Sequence, residues 1–283
     1  MVKRFVNLAG SLLVRASDWS GDQIDRLFGR SPKRRCVVLA YHSVPAAQRN
    51  LFRSQMDVLL STTKPVHADI KALPKEGGYY AAVTFDDGLE DIIENALPEL
   101  EKRGIPSTIF IITDLLGSMR NWEHRGGEDT SEVKVMSREQ LVGLPSDLVR
   151  IGSHTKTHAF LPNLEDDKAR REIGESRTNL ETLLKGDVKM FSLPYGAYNA
   201  KIIKECREAG YERVFTGLPV FAFSLPGEFV TGRVVVMLTD WPIEFRLKLA
   251  GAYRWLPNAY ALKRRVMSTL RGRRSEGIRP EYS

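Results

Sequence analysis

Between residues 36 and 253 the chain alternates short apolar runs with amphipathic stretches, and few architectures accept that pattern. The runs 36–41, 80–85, 107–112, 148–151, 190–193, 214–215 and 234–238 have the length of buried strands. The stretches 52–60, 89–103, 137–144, 166–184, 199–209 and 242–253 read as helices between them. In the fourth of these, Ala169, Ile173, Ser176, Leu180 and Leu183 recur at spacings of three and four, with charges on the other face. Gly104 and Gly210 stand where helices stop. Regular alternation of this kind predicts an α/β protein built on a parallel sheet, open or closed into a barrel. A chain of 283 residues suits one large domain of that class. The longest irregular stretch, 117–135, is polar, carries Trp122, and is the expected lid or substrate loop.

Charge is unevenly distributed. The net +7 divides into +5 over residues 1–35, +8 over 245–283 and −6 over the 209 residues between them. A nucleic-acid enzyme places positive charge around its working groove, so the acidic middle argues against a nucleic-acid partner. The basic ends, with Trp19, Phe28, Tyr253, Trp255 and Tyr260 interleaved, suit peripheral contact with an anionic membrane; the alternative is solvated tails. No apolar run approaches the ~18 residues of a membrane span. The start resembles a signal peptide, but Asn7 interrupts its apolar run, Arg15 ends it, and no clean small-residue cleavage site follows. The expectation is an amphipathic leader helix on a cytoplasmic protein, peripheral to the inner membrane face. Cys36 and Cys206 are too few for a disulfide framework or a cysteine-based zinc site and read as buried thiols.

Four polar clusters follow directly on strand patterns: Tyr41-His42-Ser43, Asp86-Asp87-Gly88, His154-Thr155-Lys156-Thr157-His158 and Pro194-Tyr195-Gly196. In a parallel α/β barrel all strand C-termini emerge on one face, so these residues converge in space. Asp-Asp-Gly alone is also an ordinary turn with a helix cap. Yet two adjacent carboxylates at one mouth repel unless a cation lies beside them. His154 and His158, four apart and so one helical turn, can reach one cation together with a carboxylate; two surface histidines are the plainer reading. Pro194-Tyr195-Gly196 is a turn whose backbone N–H can face an oxyanion.

Taken together, Thr84-Phe85-Asp86-Asp87-Gly88, His154-Thr155-Lys156-Thr157-His158 and Leu193-Pro194-Tyr195-Gly196 resemble the polysaccharide deacetylase family, the NodB-homology or carbohydrate esterase family 4 domain. The resemblance runs from about residue 37 to 249. It implies a distorted (β/α)7 barrel over 36–249, between a basic leader helix at 1–35 and a basic helix and tail at 250–283. It further implies removal of N-acetyl groups from an acetylated amino-sugar glycan, whether polysaccharide, oligosaccharide or lipid-linked. One divalent metal, zinc before cobalt or nickel, supports attack of water on the acetamide. By position, Asp86 matches the base, Asp87, His154 and His158 the metal ligands, and Tyr195 the residue whose backbone N–H supports the oxyanion. Pro194, Tyr195 and Trp122 are the expected substrate contacts.

Two departures from the family pattern stand out. Ser192 occupies the position where the family often has arginine, and Leu238-Thr239-Asp240 stands where the family carries the Leu-x-His of its general acid. His42 is therefore the candidate acid, and Arg233 the candidate partner of Asp86, the alternative being a surface arginine at a strand start. The rival readings are an O-acetyl sugar esterase of the same fold and a catalytically inactive glycan-binding module.

Overall fold

The computed structural model describes residues 2–119 and 133–271 of the chain. A 26-residue helix α1 (Val2–Leu27) precedes the first strand β1 (Arg34–Tyr41). Then follow α2 (Arg49–Thr62), β2 (Lys64–Pro65), β3 (Gly78–Phe85), α3 (Leu97–Glu101), β4 (Ser107–Ile111), α4 (Arg138–Val142) and β5 (Val149–Ser153). The second half runs α5 (Asp166–Leu184), β6 (Met190–Ser192), α6 (Ala200–Glu208), β7 (Arg213–Phe215), β8 (Val230–Thr231), β9 (Val234–Val235), α7 (Pro242–Leu249) and α8 (Leu256–Arg271).

The strands form one sheet in the order β8-β7-β6-β5-β4-β3-β1-β9, with β2 beside β3, and every named pair is parallel. Alternate residues divide between two apolar layers, as the period of two requires. Val38, Tyr80, Ala82, Phe110, Met190 and Phe215 fill the inside of the curved sheet. Val37, Leu39, Val83, Phe85, Ile109 and Phe191 pack outward against the helices. Because both faces are covered, the strands read as continuous apolar runs. This is the distorted α/β barrel that the sequence implies.

The two ends of the sheet are two residues apart in the chain. β8 pairs with β7 and β9 with β1, and no ladder joins β8 to β9. The chain itself crosses the gap through Gly232 and Arg233. A Cβ on Gly232 would stand 2.3 Å from the Leu218 carbonyl oxygen and 2.4 Å from Val220 Cγ2, so only glycine passes there.

Three expected elements take a different form, each for a local reason. The helix expected over 89–103 opens as a π-turn at Ile92–Ala96 before α3. Pro98 has no N–H to give the preceding turn, and the Glu94 carbonyl accepts from Arg49 Nη1 at 3.4 Å instead. The strand expected over 234–238 stops at Val235, because the Gln55 side-chain amide donates to the Met237 carbonyl at 2.9 Å and draws the chain towards α2. The helix expected to reach 253 ends at Leu249, since the backbone turns left-handed at Gly251 (φ 67°).

Gly232→Ala should therefore lower stability by about 1–3 kcal/mol in urea unfolding, the usual effect of forced overpacking. Gly21→Ala, in open space on α1, should raise it by about 0.5–1 kcal/mol. Equal behaviour of the two variants would remove the close-approach argument for the seam.

Candidate active site

The β3 ladder continues one residue past Phe85, where the Asp86 N–H donates to the Tyr41 carbonyl at 2.9 Å. Asp86 thus keeps the alternation of the strand and shares the inner face with Thr84. The next residue should point outward, but Asp87 takes a left-handed backbone (φ 70°), followed by Gly88 (φ 66°). That reversal brings the second carboxylate to the same mouth.

The histidine pair arrives by a loop, not a helix. After β5 the residues 154–158 form a tight turn in which Thr155 (φ 69°) and His158 (φ 62°) are left-handed. Helical bonding is pre-empted because the Thr155 and Lys156 carbonyls accept from the Thr113 and Asp114 amides at 3.2 and 3.0 Å. Glu172 on α5 holds the turn from the other side, accepting from the Lys156 and Thr157 amides at 2.9 and 3.0 Å and from Thr157 Oγ1 at 2.8 Å. Tyr195 (φ 58°) follows β6 in a single 3-10 turn, its ring 4.7 Å from that of His158. Four of the six non-glycine residues with positive φ among the described residues therefore lie at this mouth. Each such backbone costs of order 1–3 kcal/mol and persists only where its surroundings over-determine it.

Asp87, His154 and His158 are all buried, and one ligand atom from each lies within 4.8 Å of the others. Both imidazole Nε2 atoms stand 3.5 Å from Asp87 Oδ1. A tetrahedral centre with bonds of ~2.0–2.1 Å has edges of about 3.4 Å, so the spacing fits a small divalent cation. His154 Nδ1 lies 2.8 Å from the Ser192 carbonyl, which can only accept; the proton therefore sits on Nδ1, and Nε2 keeps its lone pair for a ligand. Two imidazole nitrogens and a carboxylate in a buried recess form a donor set suited to zinc, cobalt or nickel.

Asp86 is held differently. Arg233, delivered by the seam between β8 and β9, donates Nη1 and Nη2 to its two carboxylate oxygens, both at 2.7 Å. The same guanidinium donates to Thr84 Oγ1 at 3.1 Å and Ser192 Oγ at 2.7 Å, and lies over the rings of Phe110 (5.3 Å) and Phe215 (5.8 Å). Burial works to raise the pKa of Asp86. The Arg233 charge, with smaller contributions from His154 and His42, outweighs it and holds the carboxyl well below the usual range. The short side chain of Ser192 on β6 accepts from this guanidinium, so Arg233 reaches Asp86 alongside position 192. His42 stands at the end of β1 within electrostatic reach of Asp86. Asp240, by contrast, is committed elsewhere, accepting from Lys248 Nζ at 2.6 Å and the Met237 amide at 3.1 Å.

The sequence reading did not find Glu172, Phe110 or Asp91, which support the site from behind. Asp91 accepts from the Ser43 hydroxyl and, at 3.0 Å, from the Val44 amide, anchoring the turn after His42. None of these carries a motif; each is an ordinary helix or strand residue whose partner is distant in sequence. Trp122 lies outside the described residues.

Polar ligands gathered at the C-terminal ends of parallel strands, with an aspartate locked beside a possible metal site, define a class of α/β-barrel hydrolases. Residues 74–214 match the family model of polysaccharide deacetylase, and the chain belongs to that family. A protein of Bacillus subtilis strain 168 named for the same family, YxkH, is 25% identical over 210 residues, 70% of each chain. The poly-beta-1,6-N-acetyl-D-glucosamine N-deacetylase of Staphylococcus aureus (strain MSSA476) is 28% identical over 152 residues, 53% of this chain and 49% of that one. This chain thus spans about half the length of the staphylococcal relative. Among solved structures, IcaB from Ammonifex degensii superposes with a TM-score of 0.64 at 27% identity, covering 78% of this chain and 98% of its own. The Streptococcus pyogenes deacetylase PplD shares the fold at a TM-score of 0.62 and 18% identity, over 76% of this chain and 98% of its own. His42 and Arg233 both lie outside the segment matched by the family model.

Removing one partner of a buried ion pair leaves the other uncompensated, at about 3–5 kcal/mol. Arg233→Met should lose about that much in denaturant unfolding. Ser192→Arg in the same chain should recover part of it by approaching Asp86 from β6. A double variant no more stable than Arg233→Met alone would show that position 192 cannot replace Arg233.

Proposed function

We propose that the chain is a metal-dependent hydrolase that removes N-acetyl groups from an N-acetylated amino-sugar glycan. The observation that carries this reading is the locked Asp86 carboxylate beside the Asp87-His154-His158 ligand set. A module that only binds glycan has no use for a buried, ionised base. The name of the staphylococcal relative supports an N-acetylglucosamine chain as substrate class.

A divalent cation held by Asp87, His154 and His158 would polarise the acetyl carbonyl and acidify a water. Asp86, kept ionised and aimed by Arg233, is placed to take the proton of an attacking water. The Tyr195 backbone N–H shares the charge on the acetyl oxygen, a contribution of about 3 kcal/mol for one such donor. His42 protonates the departing amine, a step that a positioned acid accelerates by about 10²–10⁴. The commitment of Asp240 to Lys248 favours His42 in that role. Arg233 acts as a positioning residue, fixing both oxygens of Asp86.

Purified protein should release acetate from N-acetylglucosamine oligomers with zinc or cobalt present, and lose that activity on chelation. Asp86→Asn should bind one equivalent of metal yet fall by about 10²–10⁴ in kcat. Asp87→Ala or His154→Ala should fail to take up metal at all. Release from O-acetylated but not N-acetylated sugars would make the protein an esterase; metal uptake without release from either would overturn the enzymatic reading.

His42→Ala should slow amide hydrolysis by about 10²–10⁴ but leave an activated aryl acetate nearly unaffected, since its leaving group needs no proton. Equal loss on both substrates would remove His42 as the acid.

A further inference from the structure

Helix α1 is docked with its faces exchanged. An amphipathic helix on a globular protein normally buries its apolar stripe. Here the docked side is largely polar, with Leu8 and Val14 packed against the Leu247, Ala252, Tyr253 and Leu256 cluster beside it. Arg4 donates Nε to Glu244 Oε1 at 2.7 Å and Nη2 to the Thr239 carbonyl at 3.1 Å. Ser11 Oγ accepts from Trp255 Nε1 at 3.1 Å, and Asp18 accepts from both terminal nitrogens of Arg254 at 2.8 and 2.7 Å. Asp22 accepts from Arg35 at 2.7 and 2.9 Å. Residues 4, 11, 18 and 22 share one side of a 3.6-residue helix.

The opposite side carries Val2, Val6, Leu13, Ile24 and Leu27 at helical spacing, with Leu13 74% and Leu27 84% exposed. Leu12 and Trp19, 45% and 57% exposed, lie on the flank between this ridge and the docked side. The ridge is about 39 Å long at 1.5 Å per residue. At one end it continues onto α7, where the Phe5 and Trp241 rings meet edge-on at 5.7 Å and Ile243 is exposed. Among the described residues nothing packs on it. Residues 272–283 offer only Ile278 and Tyr282 besides one proline, a poor complement for such a ridge.

From this arrangement we infer that the outward face of α1 is a docking surface for an anionic lipid bilayer. Charge decides the occupant. The packing of α1 on Arg254 and Trp255 brings two basic segments together, +5 over 1–35 and +7 over 245–271, while residues 36–244 carry −6. A second copy meeting this face by twofold symmetry would oppose two basic segments. An anionic surface attracts them, and an apolar helical face with basic flanks lies in the interface plane. No described helix is long and apolar enough to cross a membrane, so contact is along the surface. The helix runs from Thr239, beyond the C-terminal end of β9, to Arg35 near the start of β1. A bilayer along α1 therefore lies beside the barrel, with the active-site mouth at its rim. The inference does not depend on the catalytic reading.

The test is flotation of the full chain with vesicles of phosphatidylcholine containing phosphatidylglycerol, and with phosphatidylcholine alone. Wild-type protein should float with the anionic vesicles and bind the neutral ones about tenfold more weakly. Raising salt from about 0.1 M to about 1 M, which shortens the Debye length from about 10 Å to about 3 Å, should weaken the anionic binding. The double variant Leu13→Gln/Trp19→Gln should keep its thermal midpoint and circular dichroism and lose about tenfold or more in partitioning. Flotation of the variant equal to wild type would overturn the inference, as would no flotation of wild type. So would a wild-type dimer in light scattering that the variant converts to monomer, because the face would then belong to a second copy.

Discussion

The buried contact between Arg233 and Asp86 joins the barrel's closure to its chemistry. The arginine enters where the sheet lacks a ladder, between two-residue strands that pair with opposite edges. Its guanidinium stands on Phe110 and Phe215 and grips both oxygens of the carboxylate above. Two charges taken out of water are stabilising only if their geometry is good and their remaining donors are used. Thr84 and Ser192 use them. A fold with this pair in place has its seam tied to β3 and β6 and its mouth pre-set for an ionised aspartate. The metal-ligand set is adjacent but separately supported, since the Ser192 carbonyl orients His154 and α5 holds the loop of His158.

Left-handed backbone at Asp87, Thr155, His158 and Tyr195 shows where the fold holds strained conformations for the site. Strand geometry alone sends neighbouring side chains to opposite faces, so a mouth lined by two consecutive aspartates requires a reversal. That strain is sustained by the rigidity beneath it, a sheet buried on both sides whose inner layer is closed by aromatic rings. His42 stands at the end of β1, and the turn that follows it is held by Asp91, which accepts from the Ser43 hydroxyl and the Val44 amide.

The N-terminal helix follows another rule. Its polar side finds specific ion-pair partners, Glu244, Arg254 and Arg35, each from a separate part of the chain. Half-buried pairs of this kind contribute modestly to stability but fix orientation. Orientation is what turns the apolar stripe outward and sets α1 against Arg254 and Trp255.

Much of the architecture was legible in the order of residues. The period of two and the period of 3.6 located the strands and helices, because local sterics and burial on a parallel sheet impose those periods directly; α5 spans 166–184 as expected. The polar clusters at strand ends were legible for the same reason, since parallel strands send their C-termini to one face. Glu172, Phe110 and Asp91 were not, nor was the outward turn of α1, because their partners lie far off in sequence and leave no spacing to read. Arg233 is the intermediate case: the serine at position 192 made it the candidate partner of Asp86, but the bidentate contact across 147 positions exists only once the barrel closes. The sequence by itself determined which residues carry charge, ligand atoms and apolar surface. Only the tertiary structure decided which of them meet, because hydrogen bonds and ion pairs act over a few ångströms and the chain brings such neighbours together only by folding.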